Sequence, residues 1–124
     1  MVFKLSLKRC DKIQNVNALA RLINMTKLYL EDCHKLQNTD GIEKLTKLTE
    51  LDLENCYPLK NVDSLSNLTK LIALNLNFCH EIPNVNSLEG VTRLQTLDLE
   101  YCTSLQNLDR LKKLTNLTNL SGIQ

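Results

Sequence analysis

The phrase Leu51-Asp52-Leu53-Glu54-Asn55-Cys56 returns along the chain at a fixed interval of 23 residues, and that interval limits what the chain can become. Its cysteine recurs as Cys10, Cys33, Cys56, Cys79 and Cys102, and its first leucine as Leu5, Leu28, Leu51, Leu74, Leu97 and Leu120. A unit this short cannot bury its apolar edge alone. It does so only against the next unit, so a strict period predicts a solenoid. The phase divides the chain into repeats 5-27, 28-50, 51-73, 74-96 and 97-119 with a partial repeat 120-124, all within one domain covering 1-124.

Inside one repeat the apolar residues are Leu48, Leu51, Leu53, Cys56, Leu59, Val62, Leu65 and Leu68. Leu51 and Leu53 alternate with Asp52 and Glu54, the period of a half-buried strand. The later spacing of three suits a tight 3₁₀ or helical turn. Each repeat therefore reads as strand, turn, short helix and return.

Two polar columns support that division. Seven residues after each cysteine stands Asn17, Asp40, Asp63, Asn86 or Asp109, side chains able to accept from the free N–H groups that open a helix. Glu43 and Glu89 follow three positions later and complete the pattern of a capping box, so helical segments are expected to begin near residues 18, 41, 64, 87 and 110. Two residues before each of these caps lies Asn15, Asn38, Asn61, Asn84 or Asn107. An amide at every bend can donate to one backbone and accept from the next, which predicts an asparagine ladder with a structural role.

Leu48-x-x-Leu51-x-Leu53-x-x-Cys56-x-x-Leu59 resembles the eleven-residue hallmark of leucine-rich repeats, with cysteine where most members carry asparagine. The remainder, Asn61-Val62-x-x-Leu65-x-x-Leu68-Thr69-x-Leu71, is similar to the short arcs of internalins and to cysteine-bearing repeats. The resemblance implies an α/β class fold: a right-handed leucine-rich-repeat solenoid with a parallel sheet on the concave face and short α or 3₁₀ helices on the convex face. It also implies a non-enzymatic protein-interaction module.

Five cysteines at one repeat phase read as free, buried thiols in a column and not as a disulfide framework. Free thiols suggest a reducing compartment. Met1-Val2-Phe3-Lys4-Leu5 enters the repeat without a charged and then apolar leader, so a cytoplasmic location is the expectation. Val2 is already in repeat phase, and Gly122 stands where other repeats have an apolar side chain. Nothing is left over for polar end caps, which raises a second reading: a scaffold segment assembling end to end through its uncapped ends.

Fifteen Lys and Arg against 14 Asp and Glu give no bulk charge to draw the protein to nucleic acid or to an anionic membrane. Preference must come from local charge. The residues flanking the strand leucines point away from the core, and among them Tyr29, Glu31, Glu50, Asp52, Glu54, Phe78, Asp98, Glu100 and Tyr101 form an acidic stripe set with aromatic rings. Rings inside a charged rim suit a protein or peptide partner with a basic surface. Catalytic patterns are missing from the sequence: His34 and His80 share a phase two repeats apart, too far for one metal, and no Cys-x-x-Cys, His-Glu-x-x-His or glycine-rich phosphate loop occurs. No catalytic residue, cofactor or metal is therefore expected.

Overall fold

The computed structural model describes residues 3–122; Val2 and the last two residues of the partial repeat lie outside them. Six strands, β1 (Lys4–Ser6), β2 (Lys27–Tyr29), β3 (Glu50–Asp52), β4 (Ala73–Asn75), β5 (Thr96–Asp98) and β6 (Asn119–Ser121), pair in sequence order as one parallel sheet. The register is one repeat per strand, Leu28 opposite Leu51 and Leu51 opposite Leu74, so every column of the sequence becomes a row of side chains across the sheet. The chain is a leucine-rich-repeat solenoid with its sheet on the concave side.

The arcs that return between strands are 3₁₀ throughout: Asn17–Leu19, Ile42–Lys44, Asp63–Leu65, Asn86–Gly90 and Asp109–Lys113. The spacing of three explains why. In repeat 51-73 the N–H of Leu65 donates to Val62, that of Leu68 to Leu65 and that of Leu71 to Leu68, at 3.0, 3.0 and 3.1 Å. Side chains three apart eclipse in such a turn, so all four apolar groups face inward and all four are buried. An α-helix would swing them 100° apart per residue and expose some of them.

Leu48, Leu51, Leu53, Cys56, Leu59, Val62, Leu65 and Leu68 are all at most 2% exposed, the same core that the sequence outlined. All five cysteines are free; Cys33, Cys56 and Cys79 are buried and Cys10 and Cys102 half-buried. These thiols are more than small apolar groups. Four of them donate to a carbonyl of the preceding repeat: Cys33 Sγ to Leu7, Cys56 to Leu30, Cys79 to Leu53 and Cys102 to Leu76, at 2.9 to 3.2 Å. The column is a ladder of weak hydrogen bonds knitting one repeat to the next.

The caps form differently from the sequence expectation. Asn17, Asp63, Asn86 and Asp109 are the first residues of their helices, one after Val16, Val62, Val85 and Leu108, and none of these helices has a side-chain cap. The asparagines two places earlier act instead. Asn15, Asn38, Asn61, Asn84 and Asn107 each accept through Oδ1 from the N–H two residues on, at 2.8 to 3.1 Å. These are Asx turns within a repeat, not rungs between repeats. Glu43 accepts from Gly41 N–H, while Glu89 turns away to pair with Arg110 and Lys113. A 3₁₀ turn preceded by an Asx turn has already satisfied the donor that a capping box would serve.

Repeat 28-50 departs from the others. Gly41 has φ +99°, and a Cβ there would lie 2.8 Å from the Cα of Asn17 in the repeat before. Thr39 occupies the buried position that valine or leucine holds elsewhere, and its hydroxyl is satisfied by Ser64.

Candidate functional site

Strands of three residues present only two side chains each to the open face of the sheet. Tyr29, Glu50, Asp52 and Asp98 lie on it, where Ala73 is the shortest side chain in its column between Glu50 and Thr96. The missing bulk leaves a shallow depression of about 190 Å³ lined by Tyr29, Glu50, Asp52, Ala73, Asn75, Thr96 and Asp98, with Leu51 and Leu74 beneath. Tyr29 donates its hydroxyl to Glu50, and Lys27 stands 3.8 Å from the same carboxylate. That hydrogen bond, then burial, holds the Tyr29 phenol up at about 12. Lys4 Nζ sits 5.4 Å from the centre of the Tyr29 ring.

Asp52 is the electrostatic centre. Burial is the main reason its carboxyl is pushed up to about 6, and the neighbouring charges of Glu31, Glu54 and Asp98 push the same way against a hydrogen bond from Glu54 N–H. That bond, 2.9 Å to Asp52 Oδ1, is repeated one repeat on by Asn77 N–H and Asn75 Oδ1. Glu54 receives two long amide contacts of 3.5 Å from Asn75 and Asn77. Glu31 Oε1 is shut off from solvent and has no hydrogen-bond partner among the described residues. Among those residues the ion pairs involve Asp32, Glu50 and Glu89; none involves Glu31, Asp52, Glu54, Asp98 or Glu100.

Phe78 and Tyr101 are placed apart from this group. Neither is a strand residue. They occupy the turn before the cysteine, where Arg9, Asp32, Asn55, Phe78 and Tyr101 all have φ between 59° and 65°. Asp and Asn suit this left-handed conformation, and a large aromatic residue does not. The two rings stack at 4.9 Å with planes 12° apart, a separation equal to that of neighbouring strands. His80 meets Phe78 edge-on at 6.3 Å. His34 and Tyr57, one place after their cysteines, make a second stack at 4.9 Å.

The acidic stripe read from the sequence thus divides in two: a concave depression around Asp52, and a ledge of rings along the carboxyl ends of the strands. Sequence reasoning missed Tyr57, His34 and His80 as part of that ledge. The signal was the column after each cysteine, in which His34, Tyr57 and His80 are consecutive members. Among the described residues no group of His, Cys, Asp and Glu side chains converges to hold a metal ion, and no helix is long and apolar enough to cross a membrane.

No protein-family model matches the sequence, and no curated protein sequence matches it significantly. Solved structures do match. Internalin C2 from Listeria monocytogenes is 34% identical over 95% of this chain and superposes with a TM-score of 0.79. The functional domain of InlJ from the same organism, described as including a cysteine ladder, is 27% identical over 80% of the chain with a TM-score of 0.66. The leucine-rich-repeat protein LIC12759 of Leptospira interrogans shares the fold at 23% identity over 94% of the chain, TM-score 0.76. The chain spans 50%, 20% and 30% of the lengths of these three proteins.

Proposed function

Because the chain is a leucine-rich-repeat protein with cysteine-bearing repeats, we propose that its concave face is a recognition surface for a protein or peptide with a basic surface, and not a catalytic site. Leucine-rich-repeat neighbours support a protein-interaction module in general. The observation that carries the finer reading is uncompensated negative charge: five carboxylates, Glu31, Asp52, Glu54, Asp98 and Glu100, gathered on and beside an open sheet with no cation paired to any of them among the described residues. A protein gains no stability from desolvating Asp52 beside its like-charged neighbours. A partner's lysine or arginine would relieve that cost, and Tyr29, Phe78 and Tyr101 would supply the apolar contact around it. Nucleic acid and anionic membranes carry the wrong sign for this face.

The test is selection from a random peptide display library at low salt. Enriched sequences are expected to be rich in Lys and Arg, and their binding should weaken as salt screens the rim charges. The triple substitution Asp52→Asn, Glu54→Gln and Tyr101→Asn should abolish capture. Enrichment of acidic or purely apolar peptides, or unchanged capture by the triple variant, would refute the assignment.

A further inference from the structure

Ala73 opens a gap in the middle of the sheet, for its column carries Lys27 and Glu50 on one side and Thr96 and Asn119 on the other, all longer side chains. The depression above it is lined by residues of β2 to β5, and β1 and β6 flank those strands, so its outline is set by neighbours on both sides. Its floor is apolar, formed by Ala73 with Leu51 and Leu74. Its acceptors are unequally engaged. Glu50 takes the Tyr29 hydroxyl and stands 3.8 Å from Lys27. Asp52 and Asp98, on the strands either side of β4, each commit one oxygen: Oδ1 of Asp52 to Glu54 N–H at 2.9 Å, and Oδ1 of Asp98 to the Ser121 hydroxyl at 3.0 Å. The second oxygen of each has no hydrogen-bond or ion-pair partner among the described residues.

We infer that this depression is a socket for one lysine side chain of the partner, its methylene stem lying over Ala73 and its ammonium donating to the unengaged oxygens of Asp52 and Asp98 and to the Thr96 hydroxyl. This rests on the concave face being a recognition surface for basic proteins, and it names the residue that such a surface selects. The advantage of arginine is a planar fork that grips both oxygens of one carboxylate. Neither Asp52 nor Asp98 offers both. An ammonium is a compact charge whose three N–H groups spread from one point toward acceptors on different walls. Asp52 and Asp98 are two strands apart, about 10 Å at the backbone, which suits a donor seated between them. The long apolar stem of lysine covers the floor while its head stays among the polar groups, and any longer residue at position 73 would occupy that floor first.

The test uses the whole chain and two blocked peptides, acetyl-Ala-Ala-Lys-Ala-Ala-amide and its twin with arginine in place of lysine, in NMR titrations at constant low salt. The lysine peptide is expected to bind about tenfold more tightly, the worth of one charge-assisted hydrogen bond that the arginine head cannot place, and to shift the Ala73 and Thr96 amide signals most. Ala73→Gln gives that position the length of Glu50 in the same column and fills the depression without adding charge. It should bring the ratio of the two affinities to about one while thermal unfolding stays cooperative. Asp98→Asn should weaken the lysine peptide more than the arginine peptide and so reduce the ratio. Equal binding of the two peptides to the wild-type chain, tighter binding of the arginine peptide, or a lysine preference that survives Ala73→Gln or Asp98→Asn undiminished overturns the socket. If Glu54→Gln still weakens both peptides in those cases, the concave face stands as a recognition surface and only the socket is lost. No binding of either peptide removes both.

Discussion

Replacing Asp52 with asparagine is expected to stabilise the protein at neutral pH. The carboxyl of Asp52 is raised from 3.8 to about 6, chiefly by burial and then by Glu31, Glu54 and Asp98. The sign follows from proton binding. Between the two values the folded state holds a proton that the unfolded chain has lost, so stability falls as pH rises through this window and the penalty is complete above about pH 6. Two pKa units correspond to about 3 kcal/mol at full weight. Asp52 is only half-buried, and solvent screening reduces the figure to roughly 1–2 kcal/mol. Asparagine loses no turn bond by the change, because Asn75 makes the same bond in the same column with Asn77 N–H at 2.9 Å. For a domain of this size the gain is a rise in Tm of about 3–8 °C. Thermal unfolding of wild type and Asp52→Asn at pH 7 and at pH 4 measures it. The difference should be present at pH 7 and should have largely closed at pH 4, where the wild-type carboxyl is protonated in the fold. A gain of equal size at both pH values, or no gain at pH 7, would refute the electrostatic origin.

The thiol ladder should be chemically quiet: burial pushes the Cys56 thiol up to about 12 and raises those of Cys33, Cys79 and Cys102, so iodoacetamide at pH 8 should leave Cys56 and Cys79 unmodified in mass spectra until denaturant is added. Gly41→Ala should cost about 2 kcal/mol or more, read as a lower denaturant midpoint, because φ +99° and a Cβ 2.8 Å from the Asn17 backbone leave no room for a methyl group. Asn61→Ala should cost about 1 kcal/mol by orphaning the Asp63 N–H that Asn61 Oδ1 now accepts from, whereas Asp63→Ala, which removes no side-chain cap, should be near neutral in the same denaturation assay.

The strands, their parallel register and the buried spine were legible because each is set by a repeat of apolar side chains, and a 23-residue period leaves one way to stack them. Other features depend on groups that carry no apolar signature. The left-handed turn at Asn55 can be suspected from its side chain, yet Phe78 and Tyr101 occupy the same turn and conceal it. Alternation along the strand therefore placed them on the sheet face, three residues beyond where the strands end. The cap was assigned to Asp63 and its equivalents because their type and spacing fit a helix, but the i→i+3 turn begins on Val62 and hands the role of acceptor to Asn61. Tyr57 was passed over, and the two histidines were weighed only as metal ligands and not as ring partners, because neighbours in a stacked column are 23 residues apart in sequence.

Five near-identical repeats also act as one another's controls, and this separates architecture from function without any second sequence. Where a column is uniform its members do one physical job: cysteine thiols donate backward to a carbonyl, and asparagine amides accept from the backbone two residues ahead. Where a column breaks, the odd member should repair packing or else cost stability. Thr39 is repaired by Ser64 and Gly41 by its fit against Asn17, so those breaks are structural. Asp52 in a desolvated acidic field, Ala73 leaving a depression, and Phe78 and Tyr101 in a turn that favours asparagine are breaks with no such repair. All four lie along the face and carboxyl ends of β3 to β5, and Arg9, which holds the same left-handed turn at φ 62°, extends the row to the carboxyl end of β1. Destabilising exceptions scattered over the solenoid would signify drift; confined to one surface, they mark the place where binding is expected to return the free energy that folding gave up.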